Sequence, residues 1–97
     1  MPAYAIGRLE IRDPSWVKEY MPKTAELVTK HGGRYLTRGG AAMERLEGQG
    51  ALPSAIVVLE FPTMAQAKAW YNDPAYAGMI KLRQTGSNLD FILVEGV

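Results

Sequence analysis

SAIVVLEFPTMAQAKAWYNDPAY, residues 54–76, is the stretch on which the rest of the chain is organised. Ala55-Ile56-Val57-Val58-Leu59 is an unbroken apolar run, and Glu60-Phe61-Pro62 ends it. A short β-rich run closed by a turn signal predicts a strand buried on both faces. Thr63 stands three residues before Gln66, the spacing of a capping box. The threonine hydroxyl takes a free amide of the first helical turn, and the glutamine reaches back to the cap amide. A central strand therefore feeds directly into a helix, and the flanking chain must supply partners for both.

Upstream, Ala3–Arg12 alternates with period two. Tyr4, Ile6, Arg8 and Glu10 share one face and Ala5, Gly7, Leu9 and Ile11 the other, which predicts a strand. Asp13-Pro14 stops it and opens a helix, with Asp13 as cap and Pro14 where a missing amide costs nothing. Trp16, Val17, Tyr20, Met21, Leu27 and Val28 then form one apolar stripe to about Lys30. Pro22 removes one amide bond, so a kink is expected there. His31-Gly32-Gly33 closes the helix, one glycine being free to turn left-handed. Arg34–Arg38 is the second strand, Gly39-Gly40 turns it, and Ala42–Leu46 reads as a short returning ribbon. Glu47–Pro53 is loop.

Downstream, Asn72-Asp73-Pro74 restarts a helix carrying Tyr76, Met79, Ile80 and Leu82 on one side. Thr85–Asn88 is a turn, Leu89–Glu95 the last strand, and Gly96-Val97 a tail. The order β-α-β-β-α-β is the split βαβ pattern of ferredoxin-like α+β folds. Right-handed crossovers place strands one and three at the centre of a four-stranded antiparallel sheet, with both helices on one face. The other face collects Tyr4, Ile6, Ile56 and Val58, with Arg8, Glu10 and Glu60 toward its ends. Such a sheet presents on the order of 300 Å². Aliphatic residues where a solvated sheet alternates to polar predict a second sheet packed on this face, and the simplest partner is a second copy of the chain.

The 97 residues fit one domain, residues 1–97. Charge is mixed along the chain with a formal net of +1, which favours neither a nucleic-acid nor a membrane partner. Without cysteine there are no disulfides, thiolate nucleophiles or cysteine metal sites. The opening Met1-Pro2-Ala3-Tyr4 lacks the features of a signal peptide, so a cytoplasmic location is the expectation.

The segments HGGRYLTRGG at His31–Gly40, VVLEFPTMAQAKAWYNDPAY at Val57–Tyr76 and LVEG at Leu93–Gly96 resemble a family catalogued as a domain of unknown function, number thirteen-thirty, within the dimeric α/β-barrel superfamily. The resemblance spans essentially the whole chain. It implies a homodimer whose two sheets form a barrel, and it implies no reaction. Superfamily relatives include cofactor-free monooxygenases and haem-degrading enzymes, but a shared fold does not carry a function over.

Several residues are candidates for chemistry. His31, the only histidine, ends a helix, where an imidazole interacts favourably with the dipole, so a structural role is expected. One histidine and no clustered carboxylates leave no metal site, and no cofactor is expected. Glu60 ends the central strand with Tyr4 or Ile6 and Arg34 or Leu36 as cross-strand neighbours, which puts Tyr4 and Arg34 within reach. That trio either holds a polar ligand or is a plain ion pair. Arg38 falls near Arg8 and Glu10 if alternation holds, a pair of arginines suited to an anion or simply a solvated rim. Trp16, Tyr20, Trp70 and Tyr71 sit at core spacing. A pocket between helices and sheet lined by Trp70 or Tyr71 would take an aromatic molecule. The ligand-binding candidates are thus Tyr4, Arg34, Arg38, Glu60 and Trp70. The readings carried forward are a homodimer that binds or transforms a small polar or aromatic molecule without metal, and a dimeric interaction module without chemistry. RNA binding is disfavoured, because outward positions Ile56 and Val58 offer no stacking ring.

Overall fold

Strand β1 (Ala3–Ile11) leads through a 3₁₀ turn at Pro14–Trp16 into helix α1 (Val17–Lys30) in the computed structural model, which describes Met1–Val97. Strands β2 (Arg34–Thr37) and β3 (Ala55–Phe61) follow, then helices α2 (Met64–Tyr71) and α3 (Pro74–Gln84) and strand β4 (Ser87–Glu95). The sheet order is β2-β3-β1-β4, with every pair antiparallel. The expected split βαβ topology is present, with β1 and β3 central.

The helix starts are set by the expected caps. Asp13 accepts from the Ser15 amide, Thr63 from the Gln66 amide and Asp73 from the Ala75 amide. The capping box is only half formed. Gln66 Nε2 donates instead to the His31 carbonyl at 3.2 Å, while its Oε1 accepts from the Thr63 hydroxyl at 3.1 Å. The glutamine thereby ties the end of α1 to the start of α2. Gly32, at φ +81°, ends α1, and a Cβ there would lie 2.9 Å from Gln66 Nε2. The positive φ favours glycine at this position, and a Cβ would also push Gln66 off the His31 carbonyl. Helix α1 continues past Pro22, whose side chain is exposed.

Ala5, Leu9, Leu59 and Phe61 point to the helix side and are buried against Trp16, Tyr20, Val28, Trp70 and Tyr76. The molecule measures 34 × 34 × 17 Å. That thin dimension holds one sheet and one helix layer, so the second sheet face stays bare within the chain. Ile56 is 39 % exposed and Ile92 61 %. The strand expected to be buried on both faces is buried on one.

Two expectations fail. Ala42–Leu46 forms no ribbon and belongs to the irregular Arg38–Ser54 connection. The last strand begins at Ser87, because the turn needs only Thr85-Gly86 and the Ser87 hydroxyl donates to the Arg83 carbonyl at 2.6 Å. A third departure lies in β2. Tyr35 pairs with Leu59 but Thr37 pairs with Val58, so one extra residue is inserted as a β-bulge. The Thr37 hydroxyl replaces the missing ladder bonds, donating to the Ile56 carbonyl at 2.8 Å and accepting from the Val58 amide at 3.0 Å.

Candidate functional site

An interior cavity of about 100 Å³ lies between the helices and the sheet. Leu9, Val57, Leu59, Leu89 and Phe91 make its floor. Its roof follows from helical spacing. Trp16, Tyr20 and Thr24 recur every four residues, and Tyr76 and Arg83 are two turns apart on α3, so each set shares a face. Trp70 of α2 completes the wall and stacks on Tyr76 at 4.7 Å between ring centroids.

The polar content of this cavity is concentrated in one cluster. The Tyr20 and Tyr76 hydroxyls are 2.5 Å apart, and Arg83 Nη1 donates to each at 3.3 Å. Arg83 is only 4 % exposed and has no carboxylate partner. Its charge is offset in part by the Tyr20 ring, 5.7 Å from the guanidinium, and by the nearby C-terminal end of α3. Arg83 Nε, Thr24 Oγ1, Trp16 Nε1 and Trp70 Nε1 are buried without hydrogen-bond partners. Burial, then the neighbouring Tyr20, pushes the Tyr76 phenol far above its ordinary value, and burial pushes Tyr35 up to about 12. The titratable groups of the lining are therefore tyrosines and arginines. They can donate hydrogen bonds and stabilise an oxyanion. None is a proton acceptor near neutral pH.

The bulge in β2 changes where Arg38 lies. Instead of joining Arg8 and Glu10 on the open face, it borders the cavity mouth with Gly39, its guanidinium 5.1 Å from the Tyr35 ring centroid. Arg8 reaches the Ala51 carbonyl instead. Of the ligand-binding candidates read from the sequence, Trp70 and Arg38 thus meet at this cavity, joined by Trp16 and Tyr20, which were expected at core positions. Tyr71 is exposed beside a separate groove against β4.

Tyr4, Arg34 and Glu60 form a second constellation on the opposite face, aligned across three strands by the register Tyr4–Glu60–Arg34. Arg34 Nε donates to Glu60 Oε1 at 2.8 Å, and this bond foremost lowers the Glu60 pKa. The Tyr4 phenol is a looser neighbour of the same carboxylate, outside the geometry of a full hydrogen bond, yet near enough that its own pKa is raised. Arg34 and Glu60 border an open notch with Pro2, Gly32 and Pro62, and Tyr4 does not line it. His31 lies away from both places, Nε2 on Asp73 Oδ2 at 2.8 Å, with Lys30 on the same oxygen at 3.1 Å. Those contacts, the His31 bond first, hold the Asp73 carboxyl well below the usual range.

Sequence reasoning missed Arg83, Thr24 and the polar use of Tyr76. A signal existed: Arg83 falls seven residues after Tyr76, on the stripe that carries the helix inward.

This architecture, a ferredoxin-like α+β sheet with helices on one face, matches that of dimeric α/β-barrel proteins. The chain belongs to the family described as domain of unknown function DUF1330, which it matches over residues 2–97. A protein of unknown function from Rhodopseudomonas palustris is 17 % identical with a TM-score of 0.78, over 99 % of this chain and 82 % of its own. SnoaB, a cofactor-independent oxygenase from Streptomyces nogalater, is 11 % identical with a TM-score of 0.68, over 99 % and 93 %. A candidate antibiotic biosynthesis monooxygenase from Nitrosomonas europaea is 13 % identical with a TM-score of 0.70, over 99 % and 90 %. No curated protein matches the chain in sequence.

Proposed function

We propose that the chain is a homodimer in which each protomer binds a small molecule in the cavity between its helices and sheet. The observation carrying this reading is the cavity itself, with a buried, carboxylate-free guanidinium and unpartnered donors in an otherwise apolar lining. A filled structural core leaves few such atoms, because each costs free energy when it is unpaired. Pockets with an apolar body and a few convergent polar groups are the usual form of a ligand site. The oxygenase with the same fold supports a small-molecule role, and the lack of a base in the lining favours binding and oxyanion stabilisation over proton abstraction. Dimerisation is supported by the bare aliphatic face around Ile6, Ile56 and Ile92.

The test is an NMR titration of the protein with toluene, a neutral aromatic probe. Methyl resonances of Leu59 and Leu89 should shift saturably while those of Ile56 and Ile92 do not. Unchanged floor resonances at probe saturation would reject the cavity as a ligand site.

A further inference from the structure

The chemistry of the unpaired atoms narrows what the cavity takes. Arg83 and the two tyrosines bring five guanidinium and two hydroxyl hydrogens to only two phenolic oxygens. One tyrosine donates to the other, so the remaining phenolic hydrogen needs an acceptor from elsewhere. Arg83 Nε and Trp70 Nε1 are donors without acceptors, and Thr24 Oγ1 can donate as well. No Asp, Glu or His borders the cavity, while a second arginine, Arg38, stands at its mouth. The site is short of acceptors and carries a positive charge that no carboxylate balances. Water in a cavity of this size would supply acceptors and would leave the buried charge unneutralised. A carboxylate supplies both acceptors and charge, with a fork geometry that matches a guanidinium.

We propose that the ligand is a small organic monocarboxylate, its oxygens seated on Arg83 and the Tyr20–Tyr76 pair and its apolar body over Val57, Leu59 and Phe91. This rests on the cavity reading above and names the class of molecule that reading leaves open. The aromatic walls favour a flat or short branched body, which a volume of about 100 Å³ keeps small and the opening beside Arg38 and Gly39 lets extend toward the mouth. Arg38 at the mouth draws the anion inward, and Arg83 holds it.

The experiment compares benzoate with benzamide, which share shape and differ in charge, in calorimetric and NMR titrations of the intact protein. Benzoate should bind at least tenfold tighter, and the Arg83 Nε–H resonance should move further downfield with benzoate than with benzamide. Arg83→Met should abolish the preference while benzamide binding persists. Thr24→Val serves as a second, nearly isosteric variant and should reduce benzoate affinity severalfold. Equal binding of the two probes would overturn the carboxylate assignment and leave the cavity reading standing. A preference for benzoate that survives Arg83→Met in a folded variant would also overturn it. Binding of neither benzoate, benzamide nor toluene would overturn both.

Discussion

On the helix side of the sheet, Leu9, Leu59 and Phe91 meet aromatic rings from all three helices; on the other side, Ile6, Ile56, Ile92 and Val94 touch only their sheet neighbours and stay partly exposed. Charge is placed in the opposite sense. The closed face buries a guanidinium without a counterion, whereas the open face carries the Glu60–Arg34 pair, with Glu60 23 % exposed and its partner largely in solvent. A closed apolar compartment holding a lone cation lacks a counter-charge that the fold itself does not supply. An open apolar surface whose charges already balance needs only more apolar surface. On the reading proposed above, the comparison separates a ligand site from an assembly site within one sheet.

The strongest way to break this division is on the open face. Val58 pairs with Ile6 near the centre of the sheet. Val58→Lys should convert a wild-type dimer into monomer or aggregate, each buried unpaired charge costing about 3–5 kcal/mol and occurring twice per dimer. Light scattering at micromolar concentration reads the outcome, and a monomeric wild type would remove the assembly role. On the closed face, Trp70→Ala should lower unfolding free energy by about 3–5 kcal/mol in urea titrations, since Trp70 is 2 % exposed among Phe61, Tyr76 and Phe91. Its dimer, assayed above the dissociation constant, should persist.

A smaller effect of opposite sign sharpens the contrast. Arg83→Met replaces a buried, unneutralised cation with an apolar chain of similar length. Stability should rise by roughly 1 kcal/mol in thermal unfolding, as when other buried charges are replaced by hydrophobic residues. A marked loss of stability would show that Arg83 is held for structure. The smallest effect concerns the His31–Asp73 contact, which belongs to neither face. The folded-state pKa of Asp73 lies below its ordinary 3.8, so its carboxylate stabilises the protein at neutral pH, and that contribution is lost as pH falls below 3.8 toward the folded-state value. Asp73→Asn should therefore shallow the acid limb of the stability curve. An unchanged acid limb would count against the contact.

Much of the architecture was legible because local signals agreed with the global pattern. The Asp13-Pro14, Thr63 and Asp73-Pro74 caps and the Gly32 terminus fall where the apolar periods change. Tyr4, Glu60 and Arg34 could be aligned because that part of the sheet keeps strict alternation. Arg38 was misplaced because parity assumes an unbroken ladder, and Thr37 lets the ladder skip a residue by lending its hydroxyl to both Ile56 and Val58. Arg83 was passed over because a charged residue near a helix end reads as solvated. Only the packed roof shows that α3 turns it inward, beside two tyrosines drawn from different helices.

The bulge also bears on how such a chain can change over generations. In β2 the face a side chain serves is decided by residue count, so chain length acts as an address. Deleting one residue at Leu36–Thr37 would restore the regular ladder and send the following arginine across the sheet, from the cavity mouth to the face offered to a second copy. Three nucleotides lost or gained would move a positive charge between compartments without altering a single side chain's chemistry. Length at this one place therefore acts on two properties at once, removing a cation from the cavity mouth and setting a charge on the open apolar face.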